Sequence, residues 1–252
     1  MPRLSVRGLH TVDVNQPAAG QVFVTTHWSV VLAAGDAAST RRAEALEQLC
    51  RTYWYPLYAF ARRRGQDEHH AKDLTQGFFA QLLARNDFSV ADPRRGRFRT
   101  FLLHAFQNFL ANEWDKSQRI KRGGGAEILS LDDADAETRY QLEATPETSP
   151  EAVFDRGWAQ ALLSAVFAQL HRELTESGDL ERYEVVKPFL LGGEGSYAEA
   201  ATKLGITETG VRSVVHRFRK RFRELIRAEI ANTVSGAEEI DAEVRYLFTA
   251  LG

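Results

Sequence analysis

The sequence predicts an all-α protein: two small helical domains joined by a flexible acidic linker. Apolar residues recur at three- and four-residue spacing through most of the chain, and no segment sustains the two-residue alternation of a strand. A stretch rich in glycine, proline and carboxylates interrupts that period near the middle. Residues 1–24 show no period and are expected to be a flexible N-terminus. Thr25 or Thr26 is placed to cap a short helix through Val31. Residues 41–64 carry Leu46, Leu49, Tyr53, Leu57 and Phe60 on one face, with Pro56 placed to kink the helix. Residues 69–84 repeat the spacing with Ala71, Leu74, Phe78 and Leu82, and residues 98–121 continue it with Phe101, Leu102, Ala105, Phe106, Phe109 and Leu110.

Gly123, Gly124 and Gly125 end this region, and Pro146 and Pro150 precede the next, so the domains expected are 25–125 and 156–232, with a linker at 126–155. The second domain opens with Trp158, Leu162, Leu163, Val166, Phe167 and Leu170, followed by a helix at 180–191. Residues 233–252 form an extension whose Ile240, Val244, Leu247, Phe248 and Leu251 make a helical apolar stripe. It is expected to pack on the second domain, or on a regulatory partner.

At 252 residues and 44% hydrophobic, the chain has enough apolar material for ordinary cores. Its one cysteine, Cys50, excludes an intrachain disulfide and a cysteine-rich zinc site, and reads as a core thiol. No apolar run of signal or membrane-spanning length follows Arg3 and Arg7, so a cytoplasmic protein without a membrane partner is expected. The net charge of −2 conceals segregation along the chain. Arg94, Arg95, Arg97, Arg99, Lys116, Arg119, Lys121 and Arg122 form one basic block; Arg212, Arg217, Arg219, Lys220, Arg221, Arg223 and Arg227 form another. Carboxylates dominate between them.

Residues 197–220 have the layout of a helix-turn-helix. Ala201 is small where the helices cross, Gly205 supplies the turn, and Leu204, Ile206, Val211, Val214, Val215 and Phe218 fill the inner face. Thr209, Arg212, Ser213, His216 and Lys220 share the outer stripe of the second helix, the side suited to a major groove. Arg217, Arg219, Arg221 and Arg223 flank it where phosphates would lie.

The stretch Ser196-Tyr197-Ala198-Glu199-Ala200-Ala201, with Leu204-Gly205-Ile206-Thr207-Glu208, Val211-Arg212-Ser213 and His216-Arg217, resembles region four of the extracytoplasmic-function (ECF) sigma factors, a branch of the sigma-70 family. Asp73 to Phe79 resembles their polymerase-binding helix, and Phe98 to Leu102 followed by Asn108 and Asn112 resembles the helix that handles the promoter minus-ten element. The resemblance spans roughly residues 40 to 230. It implies a non-enzymatic transcription initiation factor with core RNA polymerase and promoter DNA as partners and no cofactor. It assigns His70, Lys72, Asp73 and Gln76 to polymerase; Phe88, Arg97, Phe98, Asn108, Asn112, Arg119 and Lys121 to the minus-ten element; and Thr209, Arg212, Ser213, His216, Arg217, Lys220 and Arg221 to the minus-thirty-five element. Phe88 and Phe98 border the arginine-rich loop, where aromatic rings would stack on exposed bases. Asn108 and Asn112 lie one turn apart, so both amides can meet base edges, and Trp114 either extends that set or packs. The acidic linker would suit a basic channel built for a polyanion.

The chain also departs from the pattern. His70 and Lys72 flank Ala71 where the resembled family carries two acids, which would weaken docking on basic clamp helices. Thr75, beside Lys72, or a nearby threonine is therefore a candidate for phosphorylation by a serine/threonine kinase, since a phosphate would restore negative charge. A stand-alone helix-turn-helix regulator is the alternative, separable by pull-down with core polymerase. A metal or acid-base enzyme site around His69, His70 and Asp73 lacks a third spaced ligand.

Overall fold

The computed structural model of the chain describes residues 34, 36, 42–85, 96–119, 136–143, 145, 148–190, 195–231, 233, 234 and 236–252. Among them the regular structure is helical, with no strand, as the apolar spacing predicts. The short helix expected to begin at Thr25 or Thr26 lies outside the described residues. The described chain divides into two compact units: one drawn from residues 24–161 and 230–251, the other from 162–229 with Gly252.

In the first unit, α1 (Arg42–Arg63), α2 (Glu68–Arg85) and α3 (Phe98–Arg119) form the core. α1 buries Tyr53, Trp54, Leu57, Tyr58, Phe60 and Ala61, which covers nearly its full circumference. Pro56 sits inside the helix without ending it. A Cβ at Gly157 would stand 3.2 Å from Pro56 Cγ, a tight approach that glycine relieves. α2 starts at Asp67, whose carboxylate accepts from His70 N at 2.9 Å; that bond holds the carboxyl below its ordinary range. Phe106 anchors the centre, edge-on to Phe78 at 5.0 Å and to Phe60 at 6.0 Å. Cys50 is buried, and burial pushes its thiol up to about 12, as a core thiol requires.

Part of the segment expected to be a flexible acidic tether is ordered. Residues Ala136–Glu143 form α4, docked on α1. Glu137 takes Arg62 Nε at 2.8 Å and Nη2 at 2.7 Å, and it also accepts from Tyr58. Glu143 accepts from Tyr55 at 2.7 Å, while the Arg139 guanidinium stands 3.6 Å from the Tyr55 ring centre. Charge run alone suggests a solvated spacer; the tyrosines and arginine that α1 presents are what turn it into a docked helix.

The Arg62 guanidinium holds the Glu137 carboxyl down to about 2 from the ordinary 4.5. Because the folded value lies below the unfolded one, the stabilisation is complete above about pH 4.5 and lost as pH falls toward 2. In urea unfolding, wild type is expected to exceed Glu137→Gln in stability at neutral pH and to converge with it near pH 2. A gap unchanged through the acid range would show that this pair contributes nothing.

α5 (Pro150–Glu176) has residues in both units. In the second, Leu162, Val166 and Leu170 of α5 are buried together with Tyr183 and Val186 of α6 (Leu180–Val186) and Phe189 of the 3-10 turn Lys187–Phe189. The helix pair that follows is α7 (Tyr197–Leu204) and α8 (Glu208–Ala231). Ser196 caps α7 by accepting from Glu199 N. Gly205 closes α7 at φ +62, a left-handed conformation that favours glycine. Thr207 caps α8 through Gly210 N at 3.1 Å. Val211, Val215, Phe218 and Phe222 form the buried stripe of α8, with the Phe222 ring tilted against Phe167 at 4.7 Å.

The C-terminal helix α9 (Ile240–Leu251) groups with the first unit, not with the helix-turn-helix unit as its apolar stripe suggested. Glu243 decides this: it is 1% exposed, 2.8 Å from Arg97 and 3.0 Å from Arg99. A buried carboxylate goes where cations meet it, and in this chain they stand at the start of α3.

Candidate nucleic-acid interface

On α8, Thr209, Arg212, Ser213, His216, Arg217, Lys220 and Arg221 are all exposed, while Val211, Val215 and Phe218 face inward. The 3.6-residue period does this: positions 209, 212, 213, 216 and 220 fall opposite the buried stripe. The basic residues divide by their partners. The Arg212 guanidinium lies 5.5 Å from the Tyr197 ring centre, with Glu208 one turn back at 3.7 Å. Arg217 reaches Asp179 at 3.0 Å.

Arg221 grips both oxygens of Glu173 at 2.7 Å and Glu224 at 3.2 Å, which keeps the Glu173 carboxyl below its ordinary range. Arg219 donates Nε and Nη2 to the Phe189 carbonyl at 2.9 and 2.6 Å. Arg219 and Arg221, expected as phosphate contacts, are thus braces that fasten α8 to α5 and to the 187–189 turn. Their partners lie 30 and 48 residues away, beyond any local pattern.

On α3, Asn108 and Asn112 are exposed, off the buried stripe of Leu102, Phe106 and Phe109. His104, one turn before Asn108, shares that face; sequence reasoning passed over it, although the four-residue step from 104 to 108 to 112 carries the signal. Trp114 is 63% exposed, which favours a surface role over packing. Phe98 does not fit its expected role as a stacking platform. It is 2% exposed and meets Tyr53 edge-on at 5.5 Å, so it belongs to the core. Arg97 is paired with Glu243. Phe88 and Lys121 lie outside the described residues, as does the side chain of Arg119 at the end of α3.

On α2, His70 and Asp73 are exposed and Gln76 is half-buried. Lys72 is half-buried beside Glu68 at 3.2 Å, so a carboxylate on the same helix offsets the positive charge that the sequence places there. Thr75 is 0% exposed, and its hydroxyl donates to the Ala71 carbonyl at 2.8 Å. The expected phosphorylation at Thr75 is corrected accordingly: α2 buries Ala71, Leu74, Thr75 and Phe78 on one broad face, and a kinase cannot reach that hydroxyl.

Among the described residues no group of His, Cys, Asp or Glu is arranged to hold a metal ion, and no helix is long and apolar enough to cross a membrane. A protein-family model described as ECF sigma factor matches residues 36–228. No curated protein and no solved structure matches the chain.

Proposed function

The chain belongs to the ECF sigma factor family and has a sigma factor's role in transcription initiation; from that premise we propose that it binds core RNA polymerase, recognises promoter DNA and helps to open it. In this reading the factor is a non-enzymatic, cytoplasmic subunit. The face of α2 with exposed His70 and Asp73 and half-buried Gln76 docks on polymerase, α8 reads the minus-thirty-five element, and α3 handles the minus-ten element. One observation carries most weight: Thr209, Arg212, Ser213, His216 and Lys220 are exposed on one stripe of a helix whose opposite side is buried. A recognition helix needs that division, because base edges are read by side chains that reach outward from a fixed backbone. Tyr197 beneath Arg212 narrows the positions open to the guanidinium, which favours reading over random phosphate contact.

Run-off transcription with core polymerase on genomic fragments tests the proposal. Arg212→Ala and His216→Ala are each expected to weaken minus-thirty-five recognition by about 1 to 3 kcal/mol per lost base contact. Promoter preference unaltered in both variants would refute the orientation of α8. Pull-down of core polymerase by the full chain separates a sigma factor from a stand-alone regulator, which has no use for it.

A further inference from the structure

The start of α3 collects positive charge where helix physics disfavours it. Arg97 and Arg99 flank the first residue of a 22-residue helix with no acid in its first turn, at the end where the backbone dipole already favours anions. An anion is favoured there, and α9 brings one. Glu243 stands 2.8 Å from Arg97 Nε and 3.0 Å from Arg99 Nε. The Arg99 guanidinium is held between the Trp158 and Tyr246 rings, at 4.6 and 4.3 Å from their centres. Tyr246 donates to Asp155, which also takes Arg99 Nη1 at 2.8 Å.

The fit between Glu243 and the arginines is incomplete. Arg97 Nε is buried and close to Glu243, yet it makes no aligned hydrogen bond, and Arg99 Nη2 reaches Glu243 only at 3.4 Å. One carboxylate is serving two guanidinium groups, and a phosphodiester offers a guanidinium fork the same pair of acceptor oxygens. α9 is held mainly through polar and ring contacts: Glu243 and Leu247 are its buried side chains, and Phe248 is exposed. When α9 lifts, Glu243 and Tyr246 leave with it, while Arg99 keeps Asp155 and the Trp158 ring. Arg97 then loses its Glu243 partner, and among the described groups the cluster of Arg97, Arg99, Asp155 and Glu243 goes from balanced to positive.

We propose that the Arg97–Arg99 surface at the start of α3 is a binding site for the phosphate backbone of promoter DNA, and that α9 covers it with Glu243 in the place of a phosphate. The inference rests on the reading of α3 as the helix that handles promoter DNA. It makes α9 an intramolecular competitor of that DNA, so the free factor binds single strands weakly until α9 is displaced.

The test uses the full chain and a fluorescein-labelled single-stranded DNA oligonucleotide. Glu243→Gln is expected to bind it roughly tenfold more tightly than wild type at low salt, with the salt slope steeper by about 0.7 for each added phosphate contact. Arg97→Gln added to Glu243→Gln should remove the gain. Hydrogen exchange on wild type supplies an arm that needs no variant to fold: amides of residues 240–251 should exchange faster when the oligonucleotide is bound. If α9 exchange is unchanged at saturating oligonucleotide and Glu243→Gln binds no more tightly, the site is overturned. Run-off transcription by wild type in parallel keeps the two ideas apart. An active factor with an unresponsive α9 sinks this inference alone; a responsive α9 in a chain that neither binds core polymerase nor supports transcription supports the site and sinks the wider reading.

Discussion

With Asn108 and Asn112 both replaced by alanine, binding of duplex DNA through α8 is expected to stay intact while strand opening at the promoter is lost. The asparagines lie on the exposed face of α3 in the first unit, and α8 residues 208–229 belong to the second, so the two tasks separate cleanly. Opening costs a few kcal/mol per unstacked step. Two amide contacts to base edges, at about 1 to 3 kcal/mol each, are on the scale of that cost. Their loss therefore moves opening from favourable to negligible. Neither residue packs in the core, so stability should change by less than about 0.5 kcal/mol. Permanganate reactivity of minus-ten thymines reads the result directly, and normal reactivity in the double variant would remove α3 from the opening step.

Replacement of Arg99 by methionine is the largest stability change expected, about 3 kcal/mol, near the lower end for breaking a buried ion pair because Arg97 still serves Glu243. The change leaves Asp155 facing Glu243 without the cation between them. Burial already holds the Asp155 carboxyl above its ordinary range even beside Arg99, so its charge is poorly tolerated there. Arg99→Met combined with Glu243→Leu should recover a good part of the loss, since an apolar pair carries no uncompensated charge. Urea unfolding of the single and double variants decides. A single variant within about 1 kcal/mol of wild type would mean that water already reaches the cluster and that α9 is docked by its apolar residues alone.

Local chemistry determined much of this protein from the sequence. Outside α4, the three- and four-residue spacing marked the main helices, Ser196, Gly205 and Thr207 set the ends of the helix-turn-helix, and the alternating faces of α8 placed Thr209, Arg212, Ser213, His216 and Lys220 outward. The Ser196 motif and its companions also carried the family. These signals are short-range, so a single sequence holds them in full.

Tertiary structure alone decided which of the marked residues remain at the surface. Phe98 borders an arginine-rich loop in the sequence, but Tyr53, 45 positions earlier, claims its ring for the core. Thr75 reads as a modifiable hydroxyl until packing buries α2 on a face broad enough to include it. Arg221 looks free to meet DNA until Glu173 closes on it from α5. Glu243 and Arg99, 144 positions apart, bring the C-terminal helix to the start of α3. In each case the partner is distant along the chain, and a charge or an aromatic ring goes wherever desolvation leaves it best compensated, which no local period encodes.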